Sequence, residues 1–135
     1  MLPLLEPLNS VRFCLATPST ILECTGNFSH LRWSDTVGKG RLATFSIVEP
    51  GQPDDFKIHL HESAISSLKL LTLPSPNSPR PLHILRFLDQ QMTPVLSAIV
   101  KEEEGSVEFE RLRGVYGEKI VFRKVPGGQT TVGTF

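Results

Sequence analysis

The chain has 135 residues, of which 39% are apolar and 21% charged, as is usual for a single globular domain. Fourteen basic and fourteen acidic residues give zero net charge, which argues against a protein that binds nucleic acid mainly by neutralising phosphates. No apolar run approaches the roughly 18 residues of a membrane span, and no basic region precedes the apolar start, so we expect an intracellular protein without a membrane partner.

The first half of the chain, residues 11–73, has the pattern of several antiparallel strands. Short apolar and alternating runs are separated by turn formers such as Thr17-Pro-Ser-Thr20. The last run alternates most clearly, with Ile58 and Leu60 expected to face a core and Lys57 and His59 to face outward. The predicted strands are residues 11–16, 21–24, 28–33, 42–48 and 56–61.

The period of the apolar residues then changes from that of a strand to that of a helix. Ser63 is a suitable N-cap for a short helix over residues 64–71, with Ala64, Leu68 and Leu71 on one face, which we expect to be buried. Leu73 precedes Pro74, and a residue before proline avoids the helical region, so the helix should end there.

A proline-rich segment, residues 74–81, is expected to form an extended linker between the two halves. In the second half, residues 95–101 fit either a helix that begins at Thr93-Pro94 or a strand that forms a hairpin with residues 107–112. The β-branched and aromatic residues favour the hairpin. Residues 82–87 and 119–125 are predicted strands, and residues 126–135 a loose C-terminal tail.

Together these elements predict a strand-dominated α+β fold. We expect one domain over residues 1–125, built as a curved antiparallel sheet or open barrel of about seven strands with one or two short helices.

The residue types of catalysis are present without a recognisable arrangement. No serine lies in a Gly-x-Ser-x-Gly elbow. His59 and His61 share one strand face, as metal ligands can, but two imidazoles do not define a site. Cys14 and Cys24 lack a metal-type spacing, and the sequence leaves their pairing open. We therefore predict a protein that is not an enzyme, with no metal site and no cofactor.

The remaining candidate is a surface with basic and aromatic side chains. Arg32, Trp33, Lys39, Arg41 and Lys57 fall on neighbouring predicted strands or on the loop that joins them. Single-stranded nucleic acid binds to such surfaces, because cations follow its backbone and its bases stack on aromatic rings.

The same region resembles a known family. Residues 28–33 (Phe-Ser-His-Leu-Arg-Trp), 39–49 (Lys-Gly-Arg-Leu-Ala-Thr-Phe-Ser-Ile-Val-Glu) and 56–60 (Phe-Lys-Ile-His-Leu) precede the helix expected after Ser63. In this order, residues 21–72 resemble the repeat of the PUR proteins, single-stranded nucleic-acid binders with a β-β-β-β-α unit. They are similar in the same way to the Whirly family. The resemblance implies that Lys39 and Arg41 contact phosphates.

Two hypotheses for the function follow. The first is a non-catalytic module that binds single-stranded DNA or RNA through Arg32, Lys39, Arg41 and Lys57, with Trp33 stacking on a base. The alternative is a protein-interaction subunit of a larger assembly, with a protein partner or a second copy of itself. The apolar arm of residues 1–8 and the linker are the features that fit this alternative.

Overall fold

Antiparallel strands make up most of the chain in the computed structural model, which describes residues 2–28, 31–36, 40–46, 57–124 and 130–134. These residues form ten strands, one α-helix and two 3-10 helices, so the predicted strand-dominated α+β fold is confirmed. None of these helices combines the length and the apolar character of a membrane span. The strands are β1 (Val11–Ala16), β2 (Ile21–Gly26), β3 (Leu31–Thr36), β4 (Gly40–Ser46), β5 (Lys57–His61), β6 (Ser67–Leu73), β7 (Leu82–Leu88), β8 (Pro94–Val100), β9 (Lys119–Lys124) and β10 (Thr130–Thr134). The α-helix is α1 (Glu103–Tyr116), and the 3-10 helices span Leu2–Leu8 and Glu62–Ala64.

The strands form two sheets. Seven lie in the order β10-β9-β6-β7-β8-β1-β2, and three in the order β3-β4-β5. The proline-rich segment 74–81 connects β6 to β7, which pair with each other, and β8 pairs with β1. The larger sheet therefore contains strands from both halves of the chain, with β6 of the first half between β9 and β7 of the second. Part of the stretch expected as a C-terminal tail forms β10, which pairs with β9.

The register of the larger sheet sorts its residues onto two faces, because successive side chains of a strand point to opposite sides. We call the apolar side the inner face. One row across it joins Leu70, Leu85, Ala98 and Phe13, all of them buried. The opposite side is the outer face, which begins with Lys69, Arg86, Ser97 and Cys14 in the neighbouring row.

One end of the inner face is covered by the N-terminal 3-10 helix and by α1. Leu5 and Leu8 of the 3-10 helix are buried in the core, together with Phe109 and Leu112 of α1. Residues 2–8 of the N-terminal arm, which the sequence suggested as a protein-interaction element, are thus folded against the core.

The other end of the inner face is covered by the three-stranded sheet and the residue that leads into it. The Phe28 ring lies 5.2 Å from the Phe13 ring, edge to face, and 6.5 Å from the Phe87 ring. Ile58 and Leu60 of β5 pack against the same core, as their alternation predicted.

The helix predicted over residues 64–71 is wrong, since most of this stretch belongs to strand β6. β6 pairs with β7 on one side and β9 on the other, which buries Leu68 and Leu70 on the inner face. Ala64, expected on the buried side of the helix, is exposed. A central strand carries apolar residues on both faces, and such a run can imitate helical spacing.

The hairpin predicted for residues 95–112 is half right. Residues 94–100 form β8, but residues 107–112 lie in α1. Both edges of β8 are already paired, with β7 and with β1, so no edge remains for a further strand. Phe109 and Leu112, three residues apart, are instead buried on one side of a helix.

We predict opposite effects for alanine at the two glycines of α1. A Cβ on Gly105 would overlap the Leu8 carbonyl oxygen and lie 2.8 Å from Cγ1 of Val100, whereas one on Gly114 would meet nothing within 4 Å. Gly105→Ala should lower the free energy of unfolding by roughly 1–3 kcal/mol, through overpacking. Gly114→Ala should raise it by about 0.5–1 kcal/mol, because glycine is unfavourable inside a helix. Urea unfolding of both variants measures this, and equal shifts would contradict the packing of α1 on the N-terminal helix.

Candidate functional site

The five residues predicted to form a nucleic-acid surface do not share a face. Arg32 and Lys57 lie on the side of the three-stranded sheet that points away from the core, and both are exposed. Trp33 and Arg41 lie on its other side, because Trp33 follows Arg32 directly and strand residues alternate. Lys39 lies outside the described residues.

Trp33 and Arg41 form a local cluster with the first residue after β5. The guanidinium carbon of Arg41 lies 4.0 Å from the centre of the Trp33 ring, a cation–π arrangement. Nε of Arg41 is 3.8 Å from Oε2 of the largely buried Glu62. Trp33 also packs against the core, so its ring is engaged within the protein and is not presented for stacking on a base.

A cavity of about 190 Å³ lies where β5 meets the inner-face side of β1, β2 and β8. Its apolar lining is Phe13, Leu15, Leu22, Ile58 and Leu96, and its polar lining is Cys14, Cys24, Lys57 and His59. Phe13 and Leu96 are buried and form its floor, whereas Leu15 and Leu22 are about half exposed and flank its opening. We call this the β1–β5 cavity.

His59 borders this cavity from the side of β5 that faces away from the core, and a neighbouring strand holds its ring in place. Its Nδ1 lies 2.8 Å from Oγ1 of Thr44, the residue directly opposite on β4. If Nδ1 carries the proton, it donates to the hydroxyl oxygen and Nε2 is left as a lone-pair donor. This is the arrangement in which proteins present a histidine to a metal.

The two cysteines are free thiols on adjacent strands. Cys14 stands directly opposite Glu23, so Cys24 falls on the other face of the sheet, which settles the pairing that the sequence left open. Burial raises the pKa of the Cys24 thiol above its ordinary value. At neutral pH Cys24 therefore contributes a neutral, weakly polar wall to the cavity.

His61, the second histidine predicted to share a face with His59, does not line the cavity. Its Nδ1 is buried and has no hydrogen-bond partner. In the described part of the chain, no three or more His, Cys, Asp or Glu residues stand close enough to hold a metal ion. Sequence reasoning missed the cavity because its lining comes from residues 13–24, 57–59 and 96, which only the sheet pairing brings together.

Comparison with known proteins gives structural matches only. No family model and no curated protein matches the sequence. ChuX is similar in structure, with a TM-score of 0.63 and 12% identity over 84% of this chain and 68% of ChuX. AGR_C_4470 from Agrobacterium tumefaciens gives 0.62 and 13% identity over 84% of this chain and 63% of that protein. PhuS, a heme-binding protein from Pseudomonas aeruginosa, gives 0.59 and 14% identity over 99% of this chain.

These matches establish a shared fold. The chain covers only 34% of PhuS, so what the whole of that protein does is not transferred by the match. The predicted function in nucleic-acid binding, and single-stranded nucleic acid as the partner, are wrong. The fold is shared with PhuS, a heme-binding protein, and among the described residues Arg32 and Lys57 lie on one side of the three-stranded sheet while Trp33 and Arg41 lie on the other. The resemblance to the PUR repeat is tested by none of the matches and stays a prediction.

We predict that the buried Cys24 thiol is slow to react at neutral pH. In a Cys14→Ser variant, where Cys24 is the sole thiol, the rate of alkylation by iodoacetamide should rise with pH. Its midpoint should lie above the ordinary value of 9.0, because burial disfavours the thiolate. Mass spectrometry of samples quenched at each pH gives the midpoint. The same protein unfolded in urea is the control and should give the ordinary value, and a folded-state midpoint below it would contradict the burial.

Proposed function

We propose that this protein is a non-catalytic heme-binding protein, with the β1–β5 cavity as the site and His59 as the residue that ligates the iron. The observation that carries the proposal is an apolar cavity bordered by one exposed imidazole whose Nδ1 lies 2.8 Å from Oγ1 of Thr44. The fold shared with a heme-binding protein supports the choice of ligand. This departs from the sequence-based expectation of no cofactor.

The residues of the cavity fit heme in chemistry. Neutral imidazole is a common iron ligand, and aliphatic and aromatic side chains suit the faces of the macrocycle. Lys57 lines the cavity and Arg32 lies in the same row as His59 across β4, so both are placed on the side where carboxylates of a ligand would reach solvent. Bound heme supplies an iron with an open position for the ring nitrogen.

The size of the cavity indicates how much of the ligand is enclosed. Pockets for drug-sized ligands measure roughly 300–1,000 Å³, which is larger than the 190 Å³ here. Heme would therefore be partly exposed. Leu15, Ile21 and Leu22, which are 44%, 67% and 53% exposed, extend the apolar surface beyond the opening and would cover the remaining face.

His83 stands beside an aromatic ring, and its surroundings argue against it as the ligand. It is buried between β6 and α1, with its ring 4.6 Å from that of Phe109. Its Nδ1 lies 3.1 Å from Oγ1 of Thr72 and 3.7 Å from Oε1 of Glu110. For an iron to reach the His83 imidazole, α1 would have to move away from the sheet.

The proposal is tested by titrating the protein with hemin and recording the absorbance spectrum. The wild-type protein should give a shifted Soret band with a defined end point. His59→Ala should lose that band and bind more weakly, by more than the roughly 10–100-fold that removal of a residue supporting a metal ligand costs. Free imidazole should restore the wild-type spectrum in this variant.

His61→Ala is the matched control, because it removes an imidazole from the same face of the same strand outside the cavity. It should bind hemin like the wild type. If His59→Ala and the wild type give the same spectrum, His59 is not the ligand. If the wild type shows no defined end point, the proposed function itself is wrong.

We predict that Thr44 positions His59 without touching the ligand. Thr44→Val keeps the shape of the side chain and removes the oxygen that holds Nδ1 at 2.8 Å. Hemin affinity should fall by about 10–100-fold, as is typical when a partner of a metal-bound histidine is lost. Thr44→Ser, which keeps the hydroxyl, should recover most of the affinity. Equal affinities for the valine and serine variants would show that the hydrogen bond has no part in binding.

A further inference from the structure

The outer face of the seven-stranded sheet carries cations that stand directly opposite one another. Lys69 of β6 is paired in register with Arg86 of β7 on one side and with Lys119 of β9 on the other. Residues in one row share a face and stand about 5 Å apart at their Cβ atoms. Three positive side chains therefore lie side by side across three strands.

This row has an electrostatic cost within the protein. Like charges directly opposite on neighbouring strands destabilise a sheet. Neither Lys69 nor Arg86 forms an ion pair with any carboxylate in the described residues, although other cations do, such as Arg12 with Glu23 at 3.9 Å and Arg41 with Glu62 at 3.8 Å. Local rules of sheet pairing are broken most often at functional sites, so this row is a candidate for binding an outside group.

Four acidic residues of α1 lie on the opposite side, whereas Glu23 of β2 lies on the outer face, at the end of the row that contains the cations, and is paired with Arg12 at 3.9 Å. α1 covers the inner face through Phe109 and Leu112, and it carries Glu103, Glu104, Glu108 and Glu110. The zero net charge of the chain therefore conceals a separation, with a negative helix on one side of the sheet and the row of Lys69 and Arg86 on the other. The separation favours an anionic partner on the outer face.

The row beside the cations is apolar. Leu71, Ile84 and Ile99 are paired in register on the same outer face. Ile84 is only 6% exposed, and Leu71 and Ile99 are half-buried, so these side chains lie flat in the surface and do not protrude from it. A lipid bilayer is bound by apolar side chains that enter it, which this row does not provide. An extended or helical peptide can instead lie along the surface.

We infer that the outer face, at Lys69, Arg86, Leu71 and Ile99, docks an acidic and partly apolar segment of a partner protein. Carboxylates of the segment pair with Lys69 and Arg86, and its apolar side chains cover Leu71 and Ile99. The surface lies on the other side of the sheet from the cavity proposed for heme, and it does not depend on that function.

The probe for this surface is a fluorescein-labelled peptide of alternating glutamate and leucine. Its binding to the whole 135-residue chain is measured by fluorescence anisotropy at low salt. We expect saturable binding that weakens as salt is added, because salt screens exposed charges. The double variant Lys69→Gln/Arg86→Gln should bind about tenfold more weakly or worse, since two charge-assisted contacts are lost. Arg111→Gln, which removes a cation from the acidic helix, should bind like the wild type.

Two further measurements decide the nature of the partner. A glutamate–serine peptide should bind more weakly than the glutamate–leucine peptide if the apolar row contributes, and equal binding would overturn that part of the inference. Vesicles containing phosphatidylserine should not bind. If the protein binds vesicles and not the peptide, the partner is a membrane and the inference of a protein partner is wrong. If it binds neither probe, the inference of a docking surface is wrong.

A stability measurement separates docking from folding. Removal of the opposed charges should raise the urea midpoint of the Lys69→Gln/Arg86→Gln variant, because the repulsion between strands is relieved. If this variant binds the peptide more weakly and is more stable than the wild type, Lys69 and Arg86 contribute to binding and not to folding. Weaker binding by a less stable protein would show that Lys69 and Arg86 are structural residues.

Discussion

The inner face of the seven-stranded sheet is apolar, and the arrangement of the other elements follows from the need to cover it. Each large side chain such as Phe13 or Leu85 gains about 1.5–3 kcal/mol when it is removed from water. Two separate covers share the task. The N-terminal 3-10 helix and α1 close the end near Val100, and Phe28 with the three-stranded sheet closes the end near Phe87. The β1–β5 cavity lies at the margin of the second cover, where Phe13 and Leu96 form a floor that β5 only partly reaches.

The strands were predictable where one face of a strand meets water. β5 alternates cleanly because Ile58 and Leu60 pack inward and Lys57 and His59 point outward. β6 was misassigned because its position in the middle of the sheet places apolar residues on both sides, which removes the period of two. α1 was misassigned for the opposite reason. It contains two glycines and buries few side chains, so its weak helical signal was outweighed by β-branched and aromatic residues.

The candidate site shows a similar limit. That Arg32 and Trp33 cannot share a strand face follows from the sequence alone, since neighbours in a strand alternate. The cavity does not follow from it, because Phe13, Cys24, Ile58 and Leu96 are separated by tens of residues and meet only through the sheet order. His59 was visible as a candidate ligand, but its partner Thr44 was not. Thr44 and His59 are 15 residues apart in the chain and are placed opposite each other only by the register of β4 and β5.

β1 contributes to both faces that the structure makes available for binding. Phe13 points into the cavity from the inner face, and the next residue, Cys14, continues the outer-face row of Lys69 and Arg86. One layer of sheet therefore separates the cavity proposed for heme from the surface proposed for an acidic segment. Packed sheets resist continuous deformation, so a ligand on one face changes the other only if a strand has two stable positions. β2 is an edge strand of this sheet and pairs with β1, with Ile21 and Leu22 exposed, so a shift of β2 would reach the rest of the sheet through β1.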